Sequence, residues 1–155
     1  MKVMVVSDTH GNYLAPLKLL NGSGANMLIH LGDEISDATV IEHLLDIPLL
    51  KVPGNCDQRS TEPRELVETI AGKRFLITHG DIYRVKYGLE SIVRKAVEKK
   101  AAVALFGHTH TPCVQKQDGV LLVNPGTLMA GSDLKSYAIL TITATAVSAE
   151  IIHLP

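Results

Sequence analysis

Residues 3–52 read VMVVSDTHGNYLAPLKLLNGSGANMLIHLGDEISDATVIEHLLDIPLLKV, and the rhythm of this stretch decides the architecture. Val3–Val6 is an unbroken apolar run. Tyr13–Leu20 carries Leu14, Leu17 and Leu20 toward a stop at Gly22, which predicts a helix. Met27–Leu31 is apolar again, Thr39–Leu45 places Val40, Ile41, Leu44 and Leu45 at helical spacing, and Leu49–Val52 is a third apolar run. Strand, helix, strand, helix, strand with short connections predicts βαβ units. Their parallel strands are covered on both faces, which is why they read as continuous apolar runs instead of alternations.

The second half changes character. Leu66–Ile70 and Arg74–Thr78 flank Ala71-Gly72-Lys73, and Val114–Gln117 and Val120–Val123 flank Asp118-Gly119, so two hairpins are expected. Between them Leu89, Ile92, Val93, Ala96 and Val97 mark one helix. Arg94, Lys95, Lys99 and Lys100 gather toward its C-terminal end, where cations suit the helix dipole. Ala101–Phe106 reads as another buried strand, and Tyr137–Thr143 with Val147–His153 as a terminal antiparallel pair. The sum is an α/β sandwich of two mixed sheets with helices outside.

A chain of 155 residues has the commonest domain size, so a single domain over residues 1–155 is expected. Apolar residues make up 46% against 20% charged, enough to build a core without disulfide support. The formal net charge of −1 supplies no field to hold a nucleic-acid backbone or an anionic membrane. Polymeric nucleic acid is therefore disfavoured as a partner. Two cysteines, Cys56 and Cys113, read as a reduced chain, and the apolar run near Met1 is too short for a secretion signal. No stretch approaches the roughly 18 apolar residues of a membrane span, so a soluble, cytoplasmic protein is expected.

The polar residues that carry chemistry recur at one kind of place. Asp8 and His10 follow the first strand, Asp33 the second, Asn55 the third, His79 the Phe75–Thr78 strand, and His108 and His110 the Ala101–Phe106 strand. In open α/β sheets ligands bind at that C-terminal edge, where loops converge on one crevice. Seven oxygen and imidazole donors exceed what one ion uses. They suit two divalent ions about 3.5–4 Å apart, with one carboxylate able to bridge. Asp8 and Asp33 offset only half the charge of two such ions, and the surplus would hold a phosphate group on an otherwise slightly acidic chain.

Asp8-Thr9-His10, Gly32-Asp33, Gly54-Asn55-Cys56-Asp57, Thr78-His79-Gly80 and Gly107-His108-Thr109-His110, in this order, resemble the calcineurin-like metallophosphoesterase family, in particular its small single-domain bacterial and archaeal members. The resemblance runs from residue 3 to about residue 127, where Asn124-Pro125-Gly126-Thr127 is similar to the family's Asn-Pro-Gly-Ser loop. It implies a four-layer αββα sandwich and two divalent metal ions, Mn2+ by default, with Ni2+, Co2+, Fe2+ or Zn2+ also suited to these donors. By similarity, Asp8, His10, Asp33 and His110 hold the first ion and Asp33, Asn55, His79 and His108 the second, with Asp33 bridging. Asp8, Asp33, Asn55 and His110 are the implied catalytic residues. In that family a metal-bridging hydroxide attacks phosphorus in line with no covalent enzyme intermediate, and the resemblance implies the same route here.

One position departs from the family pattern. Where many members carry a histidine thought to protonate the leaving group, this chain has Cys56. A thiol with an ordinary pKa near 8.5 is a poorer donor at neutral pH than an imidazolium, so activated phosphodiesters are expected to be preferred over alkyl monoesters. Phosphomonoesterase activity is the alternative within the enzyme class. Outside it, a retromer subunit of similar fold that works as a protein-interaction scaffold offers a second reading. That subunit lacks some metal-binding positions, whereas all seven are filled here. A nuclease is disfavoured by the missing basic patch.

Several residues have plainer roles open to them. Asp8, Asp33 and Asn55 are also common turn formers and caps after strands, and His79, His108 and His110 could be hydrogen-bonded core histidines. It is the occurrence of all five motifs together that favours ligands. His30, His43 and His153 read as structural. Asn12 either touches a substrate phosphate or caps the helix near Tyr13, and Asp57 either orients a neighbour in the site or caps its turn. Asp37 is expected to N-cap the second helix and Cys113 to lie in the core. Arg59 and Arg84 follow site loops and either meet substrate or remain solvated. Cys56, with Asn12, is taken as substrate-binding. The expected partner is a small phosphate ester, and an apolar edge in the terminal strand pair suits a homo-oligomer.

Overall fold

Side-chain alternation along β1 (Lys2–Val6) sets the layering of the molecule, described over residues 1–155 by a computed structural model. Val3 and Val5 join a cluster facing a second sheet, Met4 and Val6 join one facing helices, and all four are fully buried. The remaining strands are β2 (Met27–His30), β3 (Leu49–Lys51), β4 (Glu65–Ile70), β5 (Lys73–Thr78), β6 (Val103–Leu105), β7 (Cys113–Gln117), β8 (Val120–Asn124), β9 (Ser136–Ile142) and β10 (Val147–His153). The helices are α1 (Leu14–Leu20), α2 (Ile35–Leu44) and α3 (Glu90–Glu98), with a 3-10 turn at Asp81–Tyr83.

Two five-stranded mixed sheets result, ordered β10-β9-β1-β2-β3 and β4-β5-β6-β8-β7. β1, β2 and β3 are parallel, as are β5, β6 and β8, while the β4–β5 and β7–β8 hairpins and β9–β10 are antiparallel. Between the sheets, Val5, Ile29 and Leu31 meet Phe75, Ile77, Leu105 and Val123. On the outer face of the second sheet, Leu76, Ala104 and Leu122 pack on Ile92, Val93 and Ala96 of α3. Met4, Val6 and Leu28 face α1 and Ile41 of α2 on the other side. The layers therefore run helices, sheet, sheet, helix. No helix is long and apolar enough to cross a membrane.

The helices differ in detail from the sequence pattern. α2 begins at Ile35, four residues before the expected start at Thr39. Val40 and Leu44 are exposed, and only Asp37, Ala38 and Ile41 are buried. Asp37 is not the N-cap but lies inside the first turn. Its carboxylate accepts the Thr9 hydroxyl at 2.6 Å and the Gly11 amide at 2.8 Å, so it holds the β1–α1 loop. Capping comes instead from Asp57, whose Oδ1 accepts the Ile35 N–H at 2.9 Å. A cap contributed from 22 residues away leaves no local signature. Asn12 does not cap α1 either; its amide donates to the Leu128 carbonyl at 2.7 Å. Cys113 opens β7 half-buried instead of lying in the core.

His30 is the structural histidine the sequence suggests. It is fully buried, with Nε2 3.1 Å from the Thr9 hydroxyl oxygen and Nδ1 accepting the Gly32 N–H. Because the Thr9 hydroxyl donates to Asp37, the ring must donate from Nε2 and stay unprotonated at Nδ1. Burial pushes its pKa from 6.5 down to about 4 against the pull of Asp37 and Asp8. The unfolded chain therefore binds more protons between those values, and stability is lost as pH falls from about 6.5 toward 4, by up to about 3 kcal/mol. His30→Asn, which keeps an acceptor for Gly32 but cannot titrate, should flatten that part of the pH profile of the urea midpoint measured in EDTA. At pH 7 it should cost about 1–3 kcal/mol.

Candidate metal centre

The loops that leave β1, β2, β3, β5 and β6 all emerge at one edge of the sandwich, and all seven predicted donors sit on them. Asp8 and His79 are fully buried, Asp33 nearly so, and Asn55 is exposed at the mouth. His108 and His110 lie beyond the end of β6. They occupy a loop in which both have positive φ, 66° and 58°. Asp8, His10 and Asp33 also take positive φ, between 44° and 54°. Five of the seven donors thus hold a left-handed conformation costing each of order 1 kcal/mol, tolerated more readily by Asp and His than by most residues.

Two donor groups form. Asp8, His10 and His110 make one, and Asp8, Asp33 and His79 the other, each with ligand atoms within 4.8 Å of one another. Asp8 is common to both. His79 Nε2 lies 3.4 Å from Asp33 Oδ2, 4.0 Å from Asp8 Oδ1 and 3.1 Å from Asn55 Oδ1. His108 stands outside the two groups but sets its ring against that of His79, centroids 5.1 Å apart, while His10 and His110 rings lie 5.4 Å apart.

Hydrogen bonds behind the donors fix them. His79 Nδ1 lies 2.7 Å from the Leu31 carbonyl, so the ring donates there across the sheet boundary and presents Nε2 to the site. Asp33 Oδ1 accepts the Cys56 amide at 2.9 Å. Asp8 Oδ2 accepts the Ser7 hydroxyl and the His108 amide. Thr127 donates to the Asp8 carbonyl, and Asn124 donates to Gly107 and Thr109, so the Asn124–Thr127 stretch clasps the His108–His110 loop. Asp57 gathers three amides, those of Asp33, Ile35 and Gly54. These supporting roles of Asn124, Thr127, Asp37 and Asp57 are not readable from strand-end position alone. Their only sequence signal is proximity to the motifs.

The electrostatics follow from the burial of two carboxylates. Burial works against ionisation of Asp33, yet the bond and charge of His79 and the Cys56 amide hold its carboxyl far below the usual range. Burial likewise opposes a charge on His79, but Asp33 and Asp8 keep its pKa above the ordinary value. Asp8 beside His110 raises that ring, whereas burial and the neighbouring His79 lower His108. Burial, with the bond to and charge of Asp33, pushes the Cys56 thiol up to about 11.

The arrangement fits cations on an observation independent of motifs. His110 Nε2 lies 3.0 Å from Asp8 Oδ1 but off the hydrogen-bonding direction, and Asp8 Oδ1 and His10 Nε2 are buried with no hydrogen-bond partner. Buried polar atoms rarely stay unpaired, and a carboxylate oxygen facing three imidazoles is paired most directly by a metal. The model of the calcineurin-like phosphoesterase superfamily domain matches residues 1–145. The chain belongs to this superfamily. Among its relatives, the probable metallophosphoesterase YsnB of Bacillus subtilis is 32% identical over 146 residues, 92% of this chain and 85% of that protein. The phosphodiesterase YfcE of Escherichia coli is 29% identical over 168 aligned positions, 90% and 87% of the two chains. In fold it is similar to wild-type Vps29 of Entamoeba histolytica, solved in complex with zinc, at TM-score 0.76, 18% identity and 99% coverage of both chains.

Glycines give this superfamily member its close loop approach. A Cβ on Gly54 would overlap the Asp33 carboxylate, and one on Gly107 would overlap Ser7 and Asp8. Gly54→Ala should therefore lower Mn2+ affinity about 10–100-fold in a calorimetric titration without altering a ligand. Gly131→Ala, where a Cβ meets nothing within 4 Å, should leave it unchanged.

Proposed function

We propose that the protein is a phosphodiesterase of small phosphate esters dependent on two divalent ions, Mn2+ by default. Asp8, His10, Asp33 and His110 would hold one ion, and Asp33, Asn55, His79 and His108 the other. The observation that carries this reading is the gathering of Asp8, His10, Asp33, His79 and His110 into two adjoining donor groups, with one Asp8 oxygen left without a hydrogen bond. The phosphodiesterase relative and the superfamily membership support it. When bound, such ions lower the pKa of water at the centre and offset charge on the phosphoryl oxygens.

The chain's own part is orientation and charge. Asp33, fixed by the Cys56 amide and His79, has one oxygen tied and one turned to the centre. Asn55 is exposed at the mouth, where an ester would enter, and His108 is half-buried. Asn12 is held by Leu128 through its amide and contributes at the rim of the Asp8–His10 loop. Cys56, exposed beside Asn55, stands where a proton donor would be useful, and its thiol is a weak one. Leaving groups that depart as stable anions are therefore favoured, and nitrophenyl diesters should outrun alkyl monoesters. The scaffold reading has less support: the likeness to Vps29 is one of fold, and every donor position here is filled by a competent side chain.

Elemental analysis of the purified chain, then assays of the metal-free and Mn2+-loaded forms on bis-nitrophenyl phosphate and nitrophenyl phosphate, tests the proposal. Asp33→Asn and His79→Ala should each lose bound metal and at least 100-fold of the diesterase rate while far-UV circular dichroism is kept. Full turnover in both variants would overturn the assignment. Cys56→His should raise turnover of alkyl-leaving esters by about 10-fold or more, with little gain on nitrophenyl diesters, if proton donation limits the former.

A further inference from the structure

The largest cleft lies beside the metal donors and contains none of the seven. It encloses about 490 Å³, a volume typical of small-molecule sites, between the start of α2 and the loop that follows Asn55. Cys56 and Asp57 form the wall shared with the centre, and Glu34, Ser36, Arg59 and Ser60 supply most of the rest. The two charged side chains nearest the backbone framework are not equally free. Asp57 spends both carboxylate oxygens on the amides of Asp33, Gly54 and Ile35, which also satisfies the α2 terminus. Glu34 accepts only the Ser36 hydroxyl, at 3.0 Å. The lysine and arginine ion pairs of the chain involve Lys51, Arg64, Lys95 and Lys99, which leaves Arg59 uncommitted.

This set selects by chemistry. An apolar ester group would cover Glu34 and Arg59 without replacing their water, which costs both partners. A second phosphate would find one guanidinium but two carboxylates. A group bearing several hydroxyls offers donors to Glu34 and acceptors to Arg59 and Ser60 at once, while Ser36 already spends its hydroxyl hydrogen on Glu34. We infer that this cleft is an ester-group subsite for a polyhydroxyl moiety of the ribose type, read by Glu34 and Arg59, so that the preferred diester is a sugar or nucleoside ester. The inference rests on the phosphodiesterase reading of the adjacent centre.

Two chromogenic diesters with the same leaving group separate the subsite from the chemistry: bis-nitrophenyl phosphate and uridine 5′-(nitrophenyl phosphate), assayed with the Mn2+-loaded chain. Wild type should favour the uridine ester in kcat/KM by about 10-fold or more. Arg59→Ala and Glu34→Gln should each lower kcat/KM for the uridine ester about 10-fold more than for bis-nitrophenyl phosphate, mainly through KM, with partial recovery in Arg59→Lys. Equal losses on the two substrates, or no preference in wild type, would overturn the subsite while leaving the diesterase intact. If wild type turns over neither, the diesterase reading fails, and the subsite is judged by calorimetric binding of uridine 5′-monophosphate to the Mn2+-loaded chain. Weakening of that binding by about 10-fold in Arg59→Ala upholds the subsite; equal affinity of the two proteins defeats it.

Discussion

Two carboxylates buried within reach of one histidine are the constraint around which this molecule is arranged. Asp8 and Asp33 are almost entirely removed from water, and an unpaired buried anion is among the most costly features a protein can carry. The surrounding chain answers with donors: Ser7 and the His108 amide on Asp8, the Cys56 amide on Asp33, and His79 between them. One Asp8 oxygen is still left over, as is His10 Nε2. A fold that spends so many hydrogen bonds on two acids and leaves this pair of atoms unsatisfied is balanced for positive charge arriving from outside.

Geometry enforces the same arrangement. Parallel strands send their C-terminal loops to one edge, so the topology alone gathers β1, β2, β3, β5 and β6 there. Bringing the loops into contact takes more: glycine at 54 and 107, where any side chain would displace a ligand, and left-handed backbone at five donors. The strain is sustained by links from residues that are not themselves among the seven donors. Asp57 joins the β2 and β3 loops, Asp37 joins α2 to the β1 loop, and Asn124 and Thr127 hold the β6 loop against Asp8.

Much of this could be read from residues in order. Apolar runs such as Val3–Val6 and Phe75–Thr78 announce buried strands because both faces are covered, and the strand-end positions of Asp8, Asp33, His79 and His108 point to a shared edge. The start of α2 was not legible, since its cap is Asp57 and long-range capping leaves no local pattern. Nor was the inward turn of Asp37, whose place resembles that of any first-turn acid. The sharing of Asp8 between both donor groups depends on distances across the two sheets, which no spacing along the chain encodes. Arg59 and Arg84 looked alike in sequence, but the structure sets Arg84 over the Tyr87 ring and Arg59 in the cleft beside Asn55.

Each donor group draws on both sheets: Asp8 and His10 from one with His110 from the other, and Asp8 and Asp33 from one with His79 from the other. An ion seated there would be a rivet through the two layers, added to their close apolar packing and to cross-links such as that from His79 to the Leu31 carbonyl. Resistance to unfolding would then climb with the logarithm of free-ion concentration, so that the supply of a cation these donors accept would set how long the folded molecule survives.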